Sequence, residues 1–379
     1  GSDQVAALTT GQLAAVSTAQ LASLTTAQVA ALTTVQASKL STDQVTALTT
    51  VQVAAFETAD LAKLSTDAVV SLSTAQLHVL STDQISSMTS AQTAALTSDQ
   101  VGSLTTPQLA ALLAGTQMST MTTAQVASLT TSQVVALTTK QASELSSTQL
   151  AAMSTSQVNA LTTSVLASLT VPQVQALTVT QVGGLSTSNV AALGATQVNA
   201  LNVSQVRSLS TAQVNAISTT ALSSVKGSQL ALLTTQQVAT LATTTVAGLS
   251  TSQIASLTTD QIVGLIGAQL TAMGDKISGL TGAQVAAIET ADLNAMTTTQ
   301  MDALTATQVK SLTTTQLQNL TTDKFAAITA SDLAGLTSGQ ISALTTGEVK
   351  NMTTSQVAAL TKTQVQGLST AQVNVLSSS

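Results

Sequence analysis

The chain has no cysteine, no tryptophan and no tyrosine, and its 379 residues include only two phenylalanines, two prolines and one histidine. Without cysteine there is neither a disulfide nor a thiolate metal site, a composition that suits an oxidising or a reducing compartment equally. With so few aromatics, any core must be built from Leu, Val and Ala. Charged residues are 7% of the chain and the net charge is −6, with no cluster of Lys or Arg. That excludes electrostatic docking on nucleic acid or on an anionic membrane surface. The scarcity of proline and of charge also excludes a Pro-rich linker and a charge-rich disordered tract. Long apolar runs are missing too: mean hydropathy is positive, yet a Thr or Ser pair interrupts every eight residues, so nothing approaches the roughly 18 apolar residues of a membrane span.

What is present is one short unit, copied throughout. Leu8-Thr9-Thr10-Gly11-Gln12-Leu13-Ala14-Ala15 is followed at once by Val16-Ser17-Thr18-Ala19-Gln20-Leu21-Ala22-Ser23. With the large apolar anchor as phase 0, the anchors run Leu8, Val16, Leu24, Leu32 and onward to Leu112, and again in step to Leu376. Two intervals break step: Leu112 to Met121 carries one residue too many, and Met273 to Leu280 one too few. A repeat this short and this sustained predicts a quasi-one-dimensional array, a single continuous solenoid over residues 3–379 with register slips at 112–121 and 273–280. Gly1-Ser2 reads as an expression scar.

Phase 1 is nearly always Thr or Ser, phase 4 is mostly Gln, and phase 5 is Val, Leu or Ile in most octads. Thr-x-x-Gln is the capping box of a helix start, and the apolar residues at phases 0 and 5 fall at the two positions of the hydrophobic staple, so that Leu8 meets Leu13 across Thr9. Pro107 and Pro172 sit at phase 3, within the first turn, where a missing N–H costs nothing. All acids except Glu144 and Asp302 lie in phases 1 to 4, at the positive end of the helix dipole. Glycines such as Gly184, Gly248, Gly264, Gly335 and Gly367 gather at phase 7, the place expected of a helix-terminating glycine.

One continuous helix is excluded, because eight residues at about 100° each make an apolar stripe drift by about 80° per repeat. A β-solenoid is the alternative, favoured by Thr and Val content; against it, phases 0 and 5 would face opposite sides of a strand. The expected fold is therefore all-α, a superhelix of helices six or seven residues long, one per octad. Such helices are unstable alone, so stacking of successive coils must hold them, with small residues at phases 6 and 7 allowing close approach.

Sites are few. His78 has no second His and no Cys to complete a metal site or a triad. Serines occupy cap or small-residue phases with no base to activate them. Glu57 with Asp60, and Glu289 with Asp292, pair acids three residues apart, but they fall at N-cap and N3 and lack the ligand spacing of calcium loops. Phe56 and Phe325 fill apolar phases. Lys39, Lys63, Arg207, Lys310 and Lys350 lie scattered near helix C-termini, where cations are favoured. Asn202, Asn319 and Asn351 begin glycosylation sequons, which a Ser/Thr-rich chain produces by chance. A Thr ladder could order water as ice-binding proteins do, but the first Thr of each pair is committed as cap. No catalytic, cofactor-binding or metal-binding residue is expected.

Units such as Leu24-Thr25-Thr26-Ala27-Gln28 and Leu129-Thr130-Thr131-Ser132-Gln133-Val134 resemble the LTTAQVAAL repeat tracts of very large bacterial secreted or surface proteins of the adhesin and haemagglutinin kind. The resemblance spans the chain. It implies an extracellular stalk or spacer, neither an enzyme nor a membrane-inserted protein, and supplies no site residue. A binding solenoid for a protein or glycan partner is the alternative expectation.

Overall fold

At most octad starts the chain turns from an extended residue into a helix, and the cap explains why. Thr9 is extended at φ −71° and ψ 158°. Its Oγ1 accepts from the Gln12 N–H at 3.3 Å, while its own N–H donates to Gln12 Oε1 at 2.9 Å. The same reciprocal pair recurs at Ser17 and Gln20, Thr105 and Gln108, Thr313 and Gln316, satisfying two N–H groups that a helix start otherwise leaves bare. In the computed structural model, which describes residues 1–114 and 117–376, this makes an all-α protein with no strand among the described residues. Both prolines take the second position of their helices, Thr106–Leu112 and Val171–Ala176.

The helices have from four to seven residues, so that some reach the six or seven expected and others fall short. Many have four or five, as in Thr34–Ala37 and Thr131–Val135, with six in Thr42–Ala47 and seven in Thr106–Leu112. The phase 0 residue ends them: Leu48 is extended at ψ 139°, and its N–H turns back to Val45 O at 3.2 Å in a three-residue closure. Gly184, Gly264, Gly335 and Gly367 stand at the C-cap, as expected of phase 7, but without the left-handed backbone of a terminating glycine. Gly184 has φ −89°, an ordinary right-handed value, and the one positive φ among the described residues belongs to Gly274 at +60°. At Gly184 the need is for space. A Cβ on Gly184 would lie 2.2 Å from Thr155 Cγ2, so glycine here admits the neighbouring coil.

The chain forms two units, Gly1–Asn189 and Val190–Ser379. In each, helices stack on others further along: Thr42–Ala47 on Thr66–Ser71 in the first, Thr243–Gly248 on Gly267–Ala272 in the second. Residues of phases 0 and 5 make the core, Leu48 and Val53 or Leu312 and Leu317 being almost wholly buried. Burying such a side chain stabilises by about 1.5–3 kcal/mol, which is what holds helices too short to form alone.

Both register slips fall at 3-10 helices, Gln117–Thr120 and Gly274–Gly279. The change in count is absorbed between the anchor and the next phase 5 residue. Met118 and Ile277 still stand three residues before their anchors, Met121 and Leu280, and both are fully buried. Gly115, in the first slip, lies outside the described residues.

Candidate functional site

The phase 4 glutamine has a second hand. In Gln108, Oε1 serves the cap of its own helix, and Nε2 donates to Leu77 O at 2.9 Å and Leu80 O at 2.8 Å, 31 and 28 residues earlier. Those carbonyls lie past the regular ladder of an earlier helix, and Leu77 O also accepts from the Leu80 N–H at 3.2 Å. Gln316 reaches Val285 O and Ile288 O in the second unit with the same separations. Each such glutamine thus starts one helix and closes another, and the separation of 28 residues makes one coil about three and a half octads. Where a coil contains the first slip, Gln125 reaches 32 and 29 residues back; where it contains the second, Gln284 reaches 30 and 27. The partners of these two keep their phases, whereas Gln141 reaches Leu113 O and Gln300 reaches Gly274 O, each one residue past the anchor.

This clamp explains why interior glutamines are buried although polar; Gln36 is 2% exposed and Gln316 3%. The capping box accounts for only one end of the side chain, which is why the four-residue spacing did not disclose the other. Acids at this position lack the donor. Glu348 caps Thr345 N–H through Oε2 at 2.7 Å, leaving Oε1 buried without a partner. Burial holds its carboxyl above the usual range, against the pull of the Thr345 hydrogen bonds. Asp60 is also buried, with Oδ2 unpartnered; burial and then the charge of Glu57 push it up to about 6.

The acid pairs sit at N-cap and N3 as their spacing indicates, but neither Glu57 nor Glu289 accepts a cap hydrogen bond through its side chain. His78 is exposed at the end of Thr74–His78, and its carbonyl accepts from Gln108 Nε2 at 3.1 Å. Phe56 and Phe325 are buried. Asn202 is itself an N-cap, its Oδ1 accepting from Gln205 N–H at 3.0 Å, and Asn319 Nδ2 donates to Thr315 O at 2.8 Å. A surface groove lined by Thr298, Asp302, Ala327, Thr329 and Ser355 holds Asp302 as its single titratable group. Among the described residues no three His, Cys, Asp or Glu gather as metal ligands, and no helix is long and apolar enough to cross a membrane.

Asparagine at phase 6 is the other residue whose role sequence reading missed. Asn189 stands where a glutamine clamp would, and is too short to serve its own cap; Asn159 Oδ1 instead accepts from Ser186 N–H at 2.7 Å, 27 residues on. Asn294 does the same for Thr321 N–H at 2.9 Å, in an octad with Lys324 at phase 4. The sequence signal is an Asn set 27 residues before an irregular cap; Asn199 likewise accepts from the Lys226 N–H at 2.9 Å, in an octad that does carry Gln229.

The site that geometry singles out is therefore a coil-to-coil joint. No curated protein and no solved structure matches the chain. The sequence model of the ALTTAQ repeat family matches residues 5–42, 18–50, 53–90, 285–322 and 325–362, so that over these stretches the chain is similar to ALTTAQ repeats and carries a repeat tract of that kind.

Proposed function

We propose that the chain is a structural spacer, a stalk segment of a bacterial secreted or cell-surface protein of the adhesin kind, without catalytic activity or cofactor. The observation that supports this reading is the glutamine clamp: it makes each coil of a unit the template for the next, so that adding coils adds length and no new chemistry. The other phases have structural work as well, cap at 1 and core at 0 and 5. Exposed apolar residues are spread over several phases, Val171, Val179 and Val203 at phase 2, Val35 and Val51 at phase 3, Val135 and Val263 at phase 6, which favours a spacer over a binding solenoid.

Deleting residues 25–80, seven whole octads, tests the reading. A spacer keeps its helicity per residue in circular dichroism and loses maximum dimension in small-angle scattering in proportion to the residues removed. Unfolding, or an unchanged dimension, overturns it. Surface display is tested separately, by protease accessibility of the tract on intact cells of its host.

A further inference from the structure

One clamp position in the second unit carries an acid of full glutamine length. Glu348 stands at phase 4 between Gln340 and Gln356, whose Nε2 atoms donate to Leu312 O at 2.7 Å and Ile328 O at 2.8 Å, each 28 residues earlier. The same separation sets Glu348 against Leu320. Its Oε2 is spent on the cap, accepting from the Thr345 N–H at 2.7 Å and from Thr345 Oγ1 at 3.0 Å. Its Oε1, in the place of the glutamine Nε2, is buried without a partner. Leu320 O receives no side-chain donor among the described residues, so two acceptors meet where the joints on either side have an N–H. A groove of about 180 Å³ opens here, lined by Leu320, Thr322, Phe325, Thr345, Glu348 and Asn351. It brings water to the carboxyl although Glu348 is only 7% exposed.

A single proton removes the mismatch, because a carboxyl only accepts when ionised but also donates when protonated. We infer that Glu348 is a proton-operated clamp: ionised, it leaves the joint to Leu320 open, and on taking one proton from solvent at Oε1 it donates that O–H to Leu320 O and closes the joint as glutamine does. Oε2 stays on Thr345 throughout, and ionisation returns the proton to water. Burial holds this carboxyl above its ordinary 4.5, since the charged form is the one desolvation penalises. The folded chain therefore binds the proton more tightly than the unfolded one, and the joint tightens as pH falls from neutrality toward 4.5. Among the described residues no cation is paired with it. Lys350 on its own helix is exposed, and Asp323 and Lys324 on Thr322–Ala326 pair with each other at 2.8 Å. The helices Thr314–Gln318, Ser338–Ala343, Thr354–Ala358 and Thr370–Leu376 carry no charged residue. The other acids at phase 4 of this unit, Asp292 and Asp332, are one methylene shorter and half-buried, and Asp332 accepts from Thr329 Oγ1 through Oδ2.

Amide hydrogen exchange on the whole chain, followed by mass spectrometry at pH 7 and pH 4 and corrected for the intrinsic rate, reads the joint through segments 317–325 and 345–352. Their protection in the unmodified chain should rise on acidification by about two- to tenfold, the range of one hydrogen bond. Glu348→Gln puts the neighbours' residue at this phase; it should be protected at both pH values, and the acidified parent should reach its level. Asp60 titrates in the same window but lies in the first unit, so the local readout sets it apart. With glutamate labelled at its carboxyl carbon the chain gives four signals, and the one that Glu348→Gln removes should titrate above 4.5. Segments of the parent that gain no protection on acidification overturn the inference. So does an acidified parent that stays below Glu348→Gln, the outcome if the neutral acid is merely buried without a bond to Leu320, or a Glu348 signal that titrates at 4.5 or lower.

Discussion

Asn215 Oδ1 accepts a hydrogen bond at 2.9 Å from the backbone N–H of Ala242, 27 residues along the chain. Ala242 occupies the cap position and Thr245 the clamp position of an octad that has neither Thr nor Gln where most others do. The cap N–H would be left without its usual acceptor, and a residue in the preceding coil supplies one. Asn215 Nδ2 meanwhile donates to Thr240 O at 2.7 Å. A defect in one repeat is thus repaired from another, through a contact that exists only because the coils stack.

Replacing Asn215 by Ala should therefore cost about 1 kcal/mol, the ordinary value of a lost helix cap. Adding Thr245→Gln should recover most of it by restoring the local acceptor, and the two changes should be non-additive in a double-mutant cycle. Denaturant melts of the four proteins measure this. Strict additivity would mean that Asn215 and the cap are unrelated.

Gln108→Glu keeps the acceptor for Thr105 and removes the donor to Leu77 and Leu80. Leu80 O loses its glutamine, Leu77 O keeps the Leu80 N–H, and a carboxyl enters the interior, so the variant should lose about 1–3 kcal/mol or more. Gln12→Glu makes the same chemical change at an exposed end and should be within about 0.5 kcal/mol of the parent. Equal effects at the two positions would show that the second bond contributes nothing.

Thr130 Oγ1 accepts from Gln133 N–H at 3.2 Å. Thr130→Ala should cost about 0.5–2 kcal/mol, and the same change in several adjacent octads should unravel that stretch first in hydrogen exchange. A run of such variants with an unaltered exchange pattern would contradict the capping role.

Asp60 titrates near 6 in the folded chain against an ordinary 3.8. The folded state holds the proton more tightly than the unfolded one, so this group destabilises fully above about pH 6, and the penalty is relieved as pH falls from 6 toward 3.8. Glu348 is shifted in the same direction. Asp323, drawn down to about 2 by Lys324 and Thr321, acts oppositely but below that window. Melting temperature should therefore rise between pH 7 and pH 5, and Asp60→Gln with Glu348→Gln should raise it at pH 7 and flatten the dependence. A parent that loses stability on mild acidification would contradict the assignment.

Glycine provides a paired comparison. Gly184→Ala drives a methyl into Thr155 Cγ2 of the neighbouring coil and should destabilise by about 1–3 kcal/mol. At Gly248 nothing lies within 4 Å of a new Cβ, and alanine there should stabilise by about 0.5–1 kcal/mol through helix propensity. Thermal melts that rank the two the other way would place phase 7 outside the coil contact.

The sequence by itself determined the helical class, the cap at each octad, the core phases and the positions of both slips. Those features rest on bonds between residues three apart, such as Thr9 and Gln12, and on the burial of two apolar residues per repeat. Short-range stereochemistry settles them without reference to the rest of the chain. Tertiary structure alone decided how many octads make a coil, and with that number every long-range role. The free arm of Gln108, the space kept by Gly184 and the acceptor lent by Asn215 each depend on what lies 25 to 31 residues away. That separation is set by how closely stacked helices can pack around the buried Leu and Val. An octad repeated in step stays in phase with the chain at every multiple of eight, so its period cannot say which multiple becomes the neighbour in space.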